Sequence, residues 1–258
     1  MVISGQSKIM SNRRDFLKKA SLAGAAAIAA PGLVSASQKD DQYLPDDGDA
    51  KKILFQGDSI TDGGRSFDKD WNHVYGQGYA YLITARINFD YPGRDYQFFN
   101  RGISGNTVND LAARWQKDTL DIKPDVLSIL VGINDTHRAI MQADKAAANN
   151  FGNVYEQLLT QTLAVMPNTK LVLLEPFILP VGVVNANAEL WTSEVQKRQV
   201  IVKTLAQKFN AIYVPLQDAF NKATQKAKAD HWIWDGIHPM PAGHELIARE
   251  WLKAVKTL

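Results

Sequence analysis

Four short segments of the chain carry groups that can do chemistry together: Gly57-Asp58-Ser59-Ile60-Thr61, Asn100-Arg101-Gly102-Ile103-Ser104-Gly105-Asn106-Thr107, Gly132-Ile133-Asn134-Asp135-Thr136 and Asp235-Gly236-Ile237-His238-Pro239. Between them they hold a nucleophile, a base with its orienter and donors for an oxyanion, which is the set that ester hydrolysis requires. Ser59 stands in a glycine-rich turn, with Gly57 before it and Gly63 and Gly64 after it. A serine hydroxyl is a weak nucleophile at neutral pH and needs an adjacent base. His238 supplies an imidazole that titrates near working pH, and Asp235, three residues earlier, can aim a carboxylate at the other ring nitrogen through a tight turn. The developing oxyanion needs hydrogen-bond donors. The backbone amides of Ser59 and Gly102 and the side-chain amide of Asn134 are the candidates. Singly, each residue also has a plain structural use: Ser59 and Asn134 as helix caps, Gly102 and Gly105 as turn glycines, Asp235 as a turn aspartate and His238 as a loop histidine. The argument for catalysis rests on their conjunction.

Further residues near these segments suit substrate binding. Asp58 and Arg65 flank the nucleophile and are expected to form an ion pair that shapes its turn. Arg138 follows the asparagine segment and could meet substrate hydroxyls. Trp71, Trp232 and Trp234 fall in predicted loops, where an indole face could stack on a sugar ring or pack internally; Trp234, beside the histidine, is the best placed. Asp58, Arg65, Trp71, Arg138 and Trp234 are therefore the substrate-binding candidates. The spacing of Asp235, His238 and His244 matches no strong metal pattern, so neither metal nor cofactor is expected.

The elements that must position these groups are legible as hydrophobic pattern. Apolar runs at Ile53–Phe55, Tyr96–Phe99, Val126–Val131, Leu171–Leu174 and Ile212–Val214 read as buried parallel strands. Between them, Phe151 to Met166 keeps helical spacing and stops at Pro167 and Asn168. Trp191, Val195, Val202, Leu205 and Phe209 mark one face of another helix, and a last helix runs from about Gly243 to Val255. Alternating strands and helices predict an α/β domain with a parallel sheet covered on both faces. Ligands bind outside the carboxyl ends of such strands. Ser59, Gly102 and Asn134 each follow a predicted strand, and Asp235 with His238 can swing to the same edge. The predicted loop from Pro176 to Ala188, with Phe177, Ile178, Leu179, Pro180 and Val181, could line an apolar groove.

Length and composition set the outer bounds. The 258 residues, 45% of them hydrophobic, are enough for one sizeable core. Residues 1–36 read as a twin-arginine-type export signal: Arg13-Arg14-Asp15-Phe16-Leu17-Lys18-Lys19 precedes an alanine-rich run and the cleavage-like Val34-Ser35-Ala36. Residues 37–50 form a polar, aspartate-rich linker, and residues 51–258 the catalytic domain. The expected location is periplasmic or secreted, with no stable membrane insertion once the signal is cut. Without the five basic residues and one acid of that segment, the formal charge of +2 becomes about −2. A near-neutral chain with no basic stripe gives no case for nucleic-acid binding. The absence of cysteine excludes disulfides and thiol catalysis. Helix faces and exposed aromatics leave self-association open.

At the four segments the chain resembles the SGNH, or GDSL, hydrolases, a family named for the Ser, Gly, Asn and His of its blocks. Ser59 does not sit in Gly-x-Ser-x-Gly, so the nucleophile elbow of α/β-hydrolases is not in use. The resemblance covers nearly all of residues 51–256. It implies a flavodoxin-like three-layer α/β/α sandwich with a five-stranded parallel sheet, Ser59 as nucleophile, Gly102 and Asn134 among the oxyanion donors, and Asp235 and His238 completing a triad. Asn100 to Trp115, Lys123 to Asp135, and Trp234 to His244 are similar to the branch that contains acetylxylan esterases and related carbohydrate deacetylases. The expectation is a cofactor-free serine esterase acting on an acetylated carbohydrate. Two rivals are a lysophospholipase or thioesterase, which would need an apolar groove, and a non-catalytic carbohydrate-binding protein that keeps only the fold.

Overall fold

The computed structural model describes residues 51–68, 70, 73–141 and 150–256. The export signal, the linker and Trp71 lie outside the described residues. Five strands, β1 (Lys52–Gly57), β2 (Gln97–Asn100), β3 (Val126–Leu130), β4 (Lys170–Leu174) and β5 (Ile212–Val214), form one parallel sheet in the order β2-β1-β3-β4-β5. This is the doubly wound, flavodoxin-like order, in which the chain departs in opposite directions from β1 and β3 and leaves a crevice at their carboxyl ends. The β2 run is one residue later than its apolar pattern predicts, because Asn100 also joins the ladder opposite Phe55.

Both faces of the sheet are buried, which explains why its strands read as continuous apolar runs. Alternate residues point to opposite layers. Ile53, Phe55, Val126, Val172 and Leu174 join one core, while Leu54, Leu127, Ile129, Leu171 and Leu173 join the other. The first core is closed by α2 (Tyr79–Asp90), α8 (Leu216–Ala223) and α10 (Pro241–Val255), through residues such as Ile83, Ile87, Phe220, Ile247 and Trp251. The second is closed by α3 (Val108–Trp115), α5 (Phe151–Val165) and much of α7 (Ala188–Lys208), through Leu111, Trp115, Leu158, Leu159, Val202 and Leu205. The indole of Trp251 donates to Ser128 Oγ at 3.0 Å and that of Trp115 to Thr162 Oγ1 at 3.0 Å, so these two buried indoles keep their polar atoms paired.

Shorter helices sit at the functional edge: α1 (Ser59–Asp62), α4 (Ile133–Ile140), α6 (Gly182–Asn185) and α9 (Ala229–Trp232). A π-helical turn, Gln116–Leu120, follows α3 directly. The segment after β4 is not the open loop that its sequence predicts. Phe177, Ile178 and Leu179 are buried at 0–5% exposure in the first core, where Phe177 stacks on Phe220 at 4.4 Å between centroids, and α6 occupies its middle. Phe177, Ile178, Leu179 and Val184 are core rather than the lining of a groove, whereas Pro180 and Val183 are exposed. Among the described residues no helix is long and apolar enough to cross a membrane.

Candidate active site

The nucleophile candidate is placed by the end of β1. Asp58 caps α1, with Oδ1 accepting the Ile60 N–H at 3.0 Å, so Ser59 becomes the first helical residue and its amide leads the helix. Gly57 must lack a side chain, since a Cβ there would lie 2.3 Å from both Leu130 O and Thr61 Oγ1. Ser59 Oγ is 2.9 Å from His238 Nε2, and His238 Nδ1 is 2.6 Å from Asp235 Oδ2. The other Asp235 oxygen accepts the Ile237 N–H at 2.9 Å and the His238 N–H at 2.7 Å. Burial pushes the Asp235 carboxyl up, but the hydrogen bonds from the His238 backbone and ring and from Ile237 outweigh it and hold the group below its ordinary value. Asp235 is thus ionised at neutral pH, which fixes the proton of a neutral His238 on Nδ1 and leaves Nε2 to accept from Ser59. The turn depends on Gly236, whose φ of +97° belongs to glycine.

The oxyanion side requires a correction. The Gly102 N–H donates to Asn100 Oδ1 at 2.9 Å and is spent there. Gly102 is buried, and a Cβ on it would meet Asp62 N at 2.3 Å, so its role is close packing of the loop against α1. Three residues on, Gly105 is exposed at φ +82°, nothing lies within 4 Å of where its Cβ would be, and its N–H finds no acceptor among the described residues. Asn134 donates one amide hydrogen to the Asn106 carbonyl at 3.0 Å, which orients its side chain and leaves the second hydrogen available. The Ser59 amide, the Gly105 amide and the Asn134 side chain are therefore the free donors. The sequence contained the signal for this choice: Asn100, two residues before Gly102, is a ready acceptor for that glycine's amide.

Asp58 and Arg65 do not form the expected ion pair. Asp58 is 1% exposed, and its Oδ2 is buried without a partner. Burial first, then the nearby charge of Asp135, pushes its carboxyl up to about 7, against the opposing Ile60 N–H. Asp135, beside Asn134, is likewise buried and raised to about 6, and accepts the Val108 N–H. Arg65 turns away from Asp58: its Nε donates to Gly102 O at 2.8 Å and its guanidinium lies 4.1 Å over the Phe67 ring. Both side chains are buried, Asp58 at 1% and Arg65 at 8% exposure, and both hold the framework around the nucleophile. Arg138 is at the surface, 3.4 Å from Asp110 Oδ2. Trp234 is 60% exposed, with its ring stacked near that of His238 at 6.2 Å between centroids. His244 Nδ1 accepts the Tyr79 N–H at 3.2 Å, and burial with the charge of His238 lowers it to about 4, so it is a neutral acceptor at the start of α2.

Residues 55–246 match the GDSL-like lipase/acylhydrolase family. An acetylxylan esterase of Geobacillus stearothermophilus is 32% identical over 212 residues, which span 81% of this chain and 95% of that protein. A structure from Parabacteroides merdae described as a GDSL-like lipase superposes with a TM-score of 0.76 at 36% identity, covering 81% of this chain and 97% of its own. Axe2, an acetylxylan esterase from G. stearothermophilus, superposes with a TM-score of 0.71 at 30% identity, covering 80% and 94%.

Proposed function

Because the chain belongs to the GDSL-like lipase/acylhydrolase family, we propose that it is a serine esterase that removes acetyl groups from carbohydrate, with acetylated xylan or its oligosaccharides as the substrate class. The observation that carries the chemistry is the continuous chain Ser59 Oγ–His238–Asp235 at 2.9 and 2.6 Å. Likeness to the acetylxylan esterase supports the substrate class, as does the exposed indole of Trp234 beside the histidine. Arg138, also exposed at the same edge, is the remaining candidate for sugar hydroxyls. Phe177, Ile178 and Leu179 are buried in the core and so do not offer the apolar lining that a long acyl chain would need.

In this reading Ser59 attacks the acetyl carbonyl while His238 Nε2 takes the hydroxyl proton, and Asp235 stabilises the imidazolium. The oxyanion of the tetrahedral intermediate receives hydrogen bonds from the Ser59 and Gly105 amides and from Asn134. Collapse expels the sugar oxygen, which recovers the proton from His238, and leaves an acetyl-Ser59 ester. A water molecule, deprotonated by His238, attacks this ester and releases acetate. The residues of the site supply every group these steps use. The Arg13-Arg14 and Val34-Ser35-Ala36 pattern supports action outside the cytoplasm, and sequencing the N-terminus of the exported protein tests it.

The deciding experiment measures acetate release by wild type and Ser59→Ala from acetylated xylan, acetylated xylo-oligosaccharides and a lysophospholipid control. We expect release from the xylans, reduced by Ser59→Ala about 10⁴-fold or more. Turnover of the lipid alone would overturn the substrate, and full activity of Ser59→Ala would overturn the mechanism.

A further inference from the structure

One arginine outside the triad ties the strand end before the nucleophile to the loop that carries Gly105. Arg114 lies in the last turn of α3, its side chain 14% exposed. Its Nε donates to Asn106 Oδ1 at 2.9 Å. Nη1 donates to Arg101 O at 2.8 Å and to Gln56 Oε1 at 3.0 Å, and Nη2 to Gly57 O at 3.2 Å. Asp118, in the π-helical turn, balances the charge at 3.2 Å from Nη1. We propose that Arg114 is a positioning residue for the oxyanion hole, holding the loop of Gly105 and the side chain of Asn134 at a fixed offset from Ser59. This inference rests on the serine-esterase reading.

Three features of the network favour that role. First, Asn106 is held at both ends: its side chain accepts from Arg114 and its carbonyl accepts from Asn134 Nδ2. Loss of the guanidinium frees the residue that orients Asn134 and neighbours Gly105. Second, Gly57 O accepts from both Arg114 and the Ile103 N–H at 3.1 Å, so the strand end before Ser59 and the oxyanion loop share one anchor. Third, the partners of Arg114 are themselves fixed. Gln56 is fully buried and its Nε2 donates to Asp118 O at 2.9 Å and Thr119 Oγ1 at 2.8 Å, both in the π-helical turn. Such turns insert one residue into a helix and recur at functional sites. Here the insertion brings Asp118 and Thr119 onto Gln56 and Arg114. Only a planar fork of N–H groups can reach acceptors on so many sides, so lysine is not an equivalent.

The test uses Arg114→Lys, Arg114→Ala and Asn106→Ala, with wild type and Ser59→Ala as references. Each is assayed with an acetate ester and with its thiono counterpart, in which sulfur replaces the carbonyl oxygen and accepts poorly from the oxyanion donors. Melting curves confirm that each variant is folded. Misplacing catalytic groups by a fraction of an ångström to one ångström costs up to about 100-fold in rate. We therefore expect kcat of both Arg114 variants to fall between about 10- and 100-fold, with KM within about twofold. Their preference for the oxygen ester should shrink, Asn106→Ala should move the same way by less, and free guanidinium should partly restore Arg114→Ala. A folded Arg114→Lys with unchanged kcat overturns the inference, and so does a loss of kcat that leaves the oxygen-over-sulfur preference intact. If neither Arg114 variant folds, Asn106→Ala decides on the same two readouts. An active Ser59→Ala would instead remove the esterase reading, whatever Arg114 does.

Discussion

The two halves of the active site are built in different ways. The acid–base half is a local object. Asp235 receives the N–H groups of Ile237 and His238 and the ring of His238, all within three residues. The nucleophile half is a product of topology. Asn100 Nδ2 donates to Thr61 O at 2.7 Å and Tyr75 O at 3.0 Å, Asp62 Oδ2 accepts from Ser104 N–H and Oγ–H, Arg65 holds Gly102 O, and Arg114 spans Gly57 to Asn106. A turn of four residues can be aligned by spacing alone. A nucleophile with three oxyanion donors from three loops needs strands and helices to bring the loops together, and long-range hydrogen bonds to lock them.

Asp235→Asn strikes the local half hardest. The amide would no longer stabilise the imidazolium and would favour the wrong tautomer of His238, so kcat should drop about 10⁴-fold while the melting temperature moves little. Steady-state kinetics with an acetate ester, alongside thermal melts, measure both. A variant that keeps its turnover would show that His238 does not need its local partner.

The carboxyls of the two halves titrate in opposite senses, which gives the second contrast. Asp235 is held below its ordinary value, so its contribution to stability is present above pH 3.8 and is lost as the pH falls through its lowered folded value. Asp58 is raised from 3.8 to about 7. For it the unfolded chain ionises first, and stability is lost as the pH rises from about 4 through about 7. Asp58→Asn keeps the acceptor for the Ile60 N–H and removes the titration. It should be more stable than wild type at pH 8 by a few kcal/mol, with little difference near pH 4. Urea denaturation at the two pH values reads this; an equal difference at both would mean that Asp58 does not titrate in that range.

The smallest expected effect separates the two glycines of the oxyanion loop. Gly105→Ala keeps its N–H and enters open space, but at φ +82°. It should cost about 1–2 kcal/mol in stability and reduce kcat less than about tenfold. Chemical denaturation and kinetics would check both. A larger kinetic loss would show that the loop cannot absorb a Cβ without displacing its amide.

These contrasts also mark what the sequence could disclose. The buried strands were readable as apolar runs because both faces of the sheet are covered. The proximity of Asp235 and His238 followed from a three-residue turn. The choice between Gly102 and Gly105 was not readable from glycine content; it turns on which amide Asn100 takes. Asp58 and Arg65 have the composition of surface residues, yet one caps α1 from inside the protein and the other reaches a backbone carbonyl under the loop. Phe177, Ile178 and Leu179 show the same limit for apolar residues, because a non-periodic run does not say which way it faces. Arg114 sits on an amphipathic helix whose pattern places it at the surface, and only the folded contacts reveal its reach.

The catalytic turn docks onto the segment after β4 through main-chain atoms: Leu179 N–H to Gly236 O at 3.1 Å and Val183 N–H to Asp235 O at 2.9 Å. Where the two segments meet, Gly182 and Gly236 must lack side chains, since a Cβ on Gly182 would lie 2.4 Å from Asp235 Cα and one on Gly236 2.5 Å from Val181 O, but the anchoring hydrogen bonds ask nothing of the exposed side chains nearby. The exposed Val183 can therefore be exchanged by evolution, or by a designer, while the hydrogen bonds that dock the turn persist. Side chains on that surface can change while the proton-transfer apparatus stays where it is.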